Sequence, residues 1–165
     1  MTIYLAYTAV FLLAAIPFLE VVGVIPIGVA AGLPALPVTV LAFLGNIATI
    51  WLLIFLMGQI KAWLQRREEE KGKSRPKKRE ERAARIWKRY GLPGLALVSP
   101  ILIGSHLGAI LAMTFGGTRK QITFWMTVSI FIWSVVMGFA SHYGIDFLYR
   151  HTGREGFLID LLDSN

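Results

Sequence analysis

Apolar positions run almost without interruption from Thr2 to Ile60, give way to a charged block over 61–90, and resume from Gly91 to Tyr143. Uncharged runs of this length belong to transmembrane segments. The pattern predicts an all-α integral membrane fold, built as a single membrane domain over 1–165. The first run is too long for two ordinary spans and short for three, because one span takes about 20 residues. Pro17, Pro26, Pro34 and Pro37 divide it. Residues 36–60 read as one transmembrane helix, bounded by Pro34 and Pro37 on one side and by Lys61 on the other, with Trp63 in the interfacial belt. Residues 3–33 remain. Split at Pro17–Gly23, each arm has about 10–14 residues and covers only about 15–21 Å. The hydrocarbon core is about 30 Å thick. Two short arms meeting at a broken tip predict a re-entrant helical hairpin. A single helix over roughly 3–25, kinked at Pro17, fits the periodicity equally well.

The second half follows the same plan. Residues 91–117 are apolar and interrupted by Pro93, Pro100, Gly104 and Gly108, and 120–143 form a second transmembrane helix before a tail over 144–165. With an offset of 85, Gly23 falls on Gly108 and Gly32 on Gly117. Broken apolar segments in corresponding positions of two halves are the best sequence pointer to a transporter site. Hairpin-breaking roles fall to Pro17, Gly23, Pro26 and Gly28 in the first half, and to Pro100, Gly104 and Gly108 in the second.

Charge sets the expected topology. Residues 61–90 hold 13 of the 17 Lys and Arg and five of the ten Asp and Glu, a surplus larger than the net +7 of the whole chain. So concentrated a surplus reads as a basic cytoplasmic loop under the positive-inside rule, and it argues against nucleic acid as a partner. If 91–117 is a hairpin, Arg119 and Lys120 stay on the cytoplasmic side; if it is a full span, they lie outside. The rule prefers the hairpin, and with it an inverted repeat whose halves have opposite orientation. Within the loop, Ala83, Trp87 and Tyr90 make one apolar stripe on a basic helix. That suits a helix lying on anionic lipids, or equally a solvated charged helix. No Lys or Arg precedes the first apolar run, so the first segment is expected to stay in the mature protein. Phe157, Leu158, Leu161 and Leu162 in the tail suit one or two turns against the interface or a neighbouring subunit.

Glu20 is the only charged side chain in the first 60 positions. Charge at membrane depth is expensive, and ionisable residues there mark functional sites by default. Low dielectric favours the neutral form of a carboxyl group, so a buried Glu20 suits reversible proton binding. Pairing with a cationic substrate is a second use. A vestibule position, or capping of the hairpin's second half-helix, is the plainer structural role. In the offset of 85, Ser105 falls opposite Glu20, with His106 beside it. A histidine at depth relays protons or bonds a carboxylate, and bonding to a backbone carbonyl freed by Pro100 or Gly104 is the equal alternative. Glu20, Ser105 and His106 are therefore the candidate proton- and substrate-binding residues. Asn46, Thr49, Ser134, Ser141 and His142 suit interhelical hydrogen bonding better, with His142 and Asp146 near the outer interface. With no cysteine and only scattered histidines and acids, no metal, no cofactor and no hydrolytic enzyme is expected.

Two segments carry a family resemblance. The stretch over 16–46, "IPFLEVVGVIPIGVAAGLPALPVTVLAFLGN", resembles the small multi-drug export protein family: an acidic residue, a Gly-x-x-Pro-x-Gly step, then a span opening into Leu-Gly-Asn. The stretch over 90–109, "YGLPGLALVSPILIGSHLGA", is similar to its second half. The family in turn resembles the DedA, or VTT-domain, superfamily. That likeness implies two opposed re-entrant hairpins and proton-linked transport, with lipid-carrier flipping in some members. Carried over, the acidic position is Glu20, and the glycines and proline are Gly23, Pro26 and Gly28. Val21-Val22 stands where family members often have Leu-Arg.

The expectation is a small proton-coupled transporter or lipid-carrier flippase with a midplane site at the hairpin tips. Its partners would be membrane lipids, anionic ones at the basic loop, and a small-molecule or lipid-phosphate substrate. A non-transporting scaffold that recruits partners through the basic loop is the alternative. A hairpin must be shielded from lipid, so a homodimer in the cell membrane is expected.

Overall fold

The structure is a computed structural model describing residues 2–59, 66 and 78–152. Its helices are α1 (Thr2–Ala15), α2 (Glu20–Ala30), α3 (Ala35–Phe55), α4 (Lys78–Leu102), α5 (Ser105–Thr114) and α6 (Arg119–Thr152). Among the described residues there is no strand. Among the described residues two helices are long and apolar enough to cross a membrane: Ala35–Phe55 and, within α6, Arg119–Ile145. The other apolar helices, α1, α2 and α5, have only 14, 11 and 10 residues.

The first break is a consequence of Pro17. Without an N–H it cannot bond the Leu13 carbonyl, and its ring ends the helix. The Ile16 N–H takes that carbonyl instead, at 3.1 Å, and the Leu19 N–H closes on Ile16 at 3.3 Å. Phe18 (φ 84°) and Glu20 (φ 44°) then carry positive φ. Non-glycine residues held there cost about 1–3 kcal/mol each, and such strain clusters at functional sites. The kinked single helix weighed above is thus replaced by two helices joined at 16–19. Gly28 of α2 packs against both neighbours: a Cβ there would lie 2.8 Å from a Val38 methyl of α3 and 3.5 Å from a Val10 methyl of α1.

The second pair forms inside α4 and α5. Gly91 (φ 64°, ψ −157°) divides α4 into a charged arm, 78–90, and an apolar arm, 92–102. Only glycine adopts that conformation at low cost. Replacing Gly91 by Ala meets open space, with Pro93 Cδ the nearest atom at 3.8 Å. The substitution therefore isolates backbone strain. It is expected to cost about 1–3 kcal/mol, and an unchanged unfolding midpoint in detergent would contradict this geometry. At the far end of the arm, the N–H groups of Ile103 and Gly104 both donate to the Ser99 carbonyl, and Gly104 (φ 92°) opens α5.

The two pairs leave their second helices by one device. Gly32 (φ 98°) donates to Val29 at 2.9 Å and Leu33 to Gly28 at 3.2 Å. Gly116 (φ 96°) donates to Met113 at 3.2 Å and Gly117 to Ala112 at 2.9 Å. Each is a Schellman ending with glycine in the left-handed position. The following helices open alike, with Val38 bonded to Pro34 and Ile122 to Thr118. Every one of these correspondences has an offset of 84, one less than the sequence register of 85, because α2 has 11 residues and α5 has 10. At the helix starts the register of 85 holds: Glu20 and Ser105 open α2 and α5, after Leu19 and Gly104.

By compactness the chain divides into two units, Met1–Ala48 with Ile130–Asn165, and Thr49–Ser129. In the first, α3 and α6 run antiparallel, with Phe43 edge-on to Phe131 at 6.0 Å and Thr39 against Gly138. Val21, Ile25, Val38, Ala42 and Ile130 are fully buried. In the second, Ile50, Leu95, Ala109, Ile122 and Met126 are fully buried. Many large apolar side chains remain exposed, Leu36, Phe55, Phe131, Phe139 and Tyr143 among them. So much apolar surface on a soluble monomer would mark an interaction or aggregation patch; on helices of spanning length it suits hydrocarbon.

The charged arm 78–90 is helical. Its Ala83 is fully buried and Trp87 packs on Phe115 with ring centroids 5.5 Å apart. Of the three stripe residues, Ala83 is thus buried in the protein and Trp87 is half-buried. Tyr90 stays exposed, with the Arg89 guanidinium 5.2 Å from its ring centre. Most of the basic block, 60–65 and 67–77, and the tail from 153 lie outside the described residues.

Candidate functional site

Glu20 is the first residue of α2 and is 2% exposed. Val21, Val24 and Ile25 are buried with it. The N-terminal end of a helix carries about half a positive charge, so the position favours a carboxylate more than the middle of a helix would. The break at Pro17 creates this setting, since a continuous helix would offer Glu20 no helix end. Positive φ at Phe18 and at Glu20 itself marks the turn as strained.

Ser105 and His106 open α5 in the second unit, and both are buried. His106 Nε2 lies 3.0 Å from Thr49 Oγ1 on α3. A threonine hydroxyl is thus one partner of His106, beside the carboxylate or freed backbone carbonyl that the sequence suggested. Thr49 is in turn the interhelical bonding residue the sequence suggested, now with its partner identified. Hydroxyl and neutral imidazole each donate and accept, so this bond survives a change of direction.

A second buried polar contact lies beside it. Pro100 lacks the N–H that would bond the Ala96 carbonyl. Two hydroxyls replace it, Ser99 Oγ donating at 3.0 Å and Ser129 Oγ at 2.7 Å. Ser129 therefore fastens α6 to the broken arm of α4. In the first unit Gly45 meets the Phe11 carbonyl in the same way: a Cβ there would collide with that oxygen. Gly45 and Ser129 are again 84 positions apart. Sequence reasoning did not single out Ser129. The available signal was Pro100 itself, which frees the carbonyl four residues earlier.

Of the residues expected to break the hairpins, Pro17 lies in the first turn and Gly104 at the second. Gly23, Pro26 and Gly28 lie within α2, Pro100 within α4 and Gly108 within α5. Gly108 serves close packing, since a Cβ there would lie 2.6 Å from Ser99 Oγ. Ser134 donates to the Ile130 carbonyl of its own helix at 2.7 Å. His142 is exposed beside Tyr143. Among the described residues no three His, Asp or Glu side chains gather as metal ligands.

Each unit thus opens the second helix of its broken pair with buried polar groups, Glu20 in one and Ser105–His106 in the other. Residues 20–136 match the family model described as "Putative small multi-drug export protein". The chain belongs to this family. The match starts at Glu20 and ends inside α6, so it takes in α2 to α5 and the first half of α6. No curated protein and no solved structure matches the chain. Membership in an export family and two helices of crossing length together make this a membrane protein.

Proposed function

We propose that this small export protein is a proton-coupled transporter whose proton is carried by Glu20. The supporting observation is the burial of the only acid in the first 60 residues at the strained opening of a short helix. Intramembrane acids of this kind are costly and serve proton relays and ion pathways. In this reading α1–α2 and the apolar arm of α4 with α5 are two re-entrant hairpins of opposite orientation. Their tips form a midplane site with Glu20, Ser105 and His106, exposed alternately to each side. The substrate is a small molecule or a lipid phosphate, the latter following the likeness to the DedA superfamily. A second copy of the chain shields the hairpins from lipid.

Topology and coupling are separately testable. The chain has no cysteine, so single cysteines at Arg119 and Ser105 report sidedness without interference. The proposal expects Arg119→Cys to react with an impermeant maleimide only from the cytoplasmic side. Labelling from outside would mean an ordinary four-span protein and end the inverted-repeat reading. In proteoliposomes, an imposed pH gradient is expected to accelerate flux of a lipophilic dye or of a fluorescent short-chain lipid phosphate. Indifference of both probes to the gradient would exclude proton coupling to either class.

A further inference from the structure

The charged arm of α4 has two unlike faces. Ala83 is fully buried, and Trp87 packs on Phe115 with ring centroids 5.5 Å apart. At about 3.6 residues per turn, Lys78, Arg82, Arg85 and Arg89 fall within about 60° of one another, on the side turned away from Ala83 and Trp87. All four are exposed. Glu81 borders this row, and Glu80 lies round towards the packed side and is half-buried. The row therefore carries a surplus of positive charge that packing does not cover.

Contacts within the second unit set the level of this row. Phe115, which receives Trp87, caps the end of α5, and α6 opens soon after at Arg119. One Arg119 guanidinium nitrogen lies 3.5 Å from where a Cβ on Gly58 would stand, just past the end of α3 at Phe55. One end of the unit thus gathers the end of one crossing helix, the start of the other and the charged arm. Arg119 and Lys120 are exposed there as well. A crossing helix passes from hydrocarbon to headgroups where its apolar run meets charge, and Trp and Tyr gather at that level. Trp87 and Tyr90 of the arm answer to it. The arm joins the apolar part of α4 at Gly91, and Arg85 is only about 9 Å of helix rise from that point. A surface potential still acts over such a distance, since the screening length in physiological salt is about 8 Å. A helix lying on lipid by its apolar face would sink Ala83 and Trp87 towards the acyl chains. Here protein covers Ala83 and part of Trp87, so the cationic row is the side left for headgroups.

We propose that Lys78, Arg82, Arg85 and Arg89, with Arg119 and Lys120, form a docking surface for the phosphate headgroups of anionic phospholipids. A guanidinium meets the two free oxygens of a phosphodiester with two parallel N–H donors. Nucleic acid offers the same phosphates, but it would approach from water. The place of the row beside the ends of both crossing helices favours the membrane. The inference holds whether or not Glu20 carries a proton.

Native mass spectrometry of the full chain in detergent, with equal amounts of phosphatidylglycerol and phosphatidylcholine of the same acyl chains, tests it. The wild type is expected to retain the anionic lipid preferentially. Each basic residue near an anionic surface changes binding about fivefold. A variant carrying Lys78→Gln, Arg82→Gln, Arg85→Gln and Arg89→Gln should therefore lose at least about tenfold of that preference, with folding kept because all four are exposed. Arg→Lys replacements at 82, 85 and 89 should keep most of it. No preference in the wild type, or an unchanged one in the glutamine variant, would overturn the proposal. Displacement of the retained lipid by millimolar inorganic phosphate would mean a free-anion site and would overturn it too. Position is read separately, by bimane on Arg85→Cys in nanodiscs. A headgroup-nitroxide lipid is expected to quench it. Fluorescence indifferent to that lipid would mean that the row faces water, where nucleic acid or an acidic protein would be its partner, and the membrane assignment would fall.

Discussion

Glu20→Gln is expected to reduce pH-gradient-driven flux in proteoliposomes to the leak of protein-free vesicles, with folding retained. Gln preserves side-chain length and hydrogen-bonding capacity, but it cannot ionise. At a position 2% exposed, removing a charge removes a desolvation cost as well as any favourable interaction with the helix end. The two terms oppose each other, so stability should change by no more than about 1 kcal/mol. Loss of flux without loss of fold is the signature of a proton carrier. A structural cap would give the reverse, a lower unfolding midpoint and flux surviving in the folded fraction. Glu20→Asp sharpens the test. Asp tolerates positive φ better than Glu, so the shorter acid should relieve strain at φ 44° while keeping a titrating group. It should retain measurable coupled flux and at least wild-type stability. Full activity in Glu20→Gln would remove the proton role.

The broken helices were legible because their causes are local. Pro17 cannot donate and Gly104 alone accepts φ 92°, so both turns follow from residue type. The two crossing helices were legible from length and hydropathy, although α6 continues to Thr152, about nine residues past the expected end at 143. The change of register from 85 to 84 along the second helices was less accessible. Gly116 and Gly117 are adjacent, and only the backbone tells which one takes the left-handed position. An overlay of glycines at one offset therefore matched Gly32 to the wrong neighbour, while its match of Glu20 to Ser105 agrees with the helix starts. His106 with Thr49, and Ser129 with the Ala96 carbonyl, are contacts over 57 and 33 residues, and no periodicity encodes them. The amphipathic stripe of 78–90 was visible, yet its partner was not. A buried Ala83 and a Trp87 tilted against Phe115 look the same in sequence whether lipid or protein receives them. For Glu20 composition was enough to locate the residue, since one acid in 60 positions has no competitor. Its place at a helix start depended on where the backbone broke.

Gly108→Ala is expected to destabilise the protein by about 1–3 kcal/mol, the usual cost of overpacking a tight core, and Ser99→Gly should restore most of it. The added methyl would collide with Ser99 Cβ and stand 2.6 Å from its Oγ. Because the nearer of these atoms is the Cβ, Ser99→Ala should not rescue. Ser99→Ala would also strip one of the two hydroxyls from the Ala96 carbonyl, leaving Ser129 as the remaining side-chain donor. Unfolding midpoints in detergent for the three single and two double variants decide the matter. A Gly108→Ala, Ser99→Gly double variant as unstable as Gly108→Ala alone would show that the helix pair is not spaced by this contact. Gly45→Ala is the informative contrast. There the obstacle is the Phe11 carbonyl, a backbone atom, so no side chain can be trimmed to make room. Its cost should reach the upper end of the same range, and no single compensating substitution should exist. Close approach at Gly108 is thus a property of two side chains that can be exchanged. At Gly45 it is a property of the backbone path, and only glycine meets it.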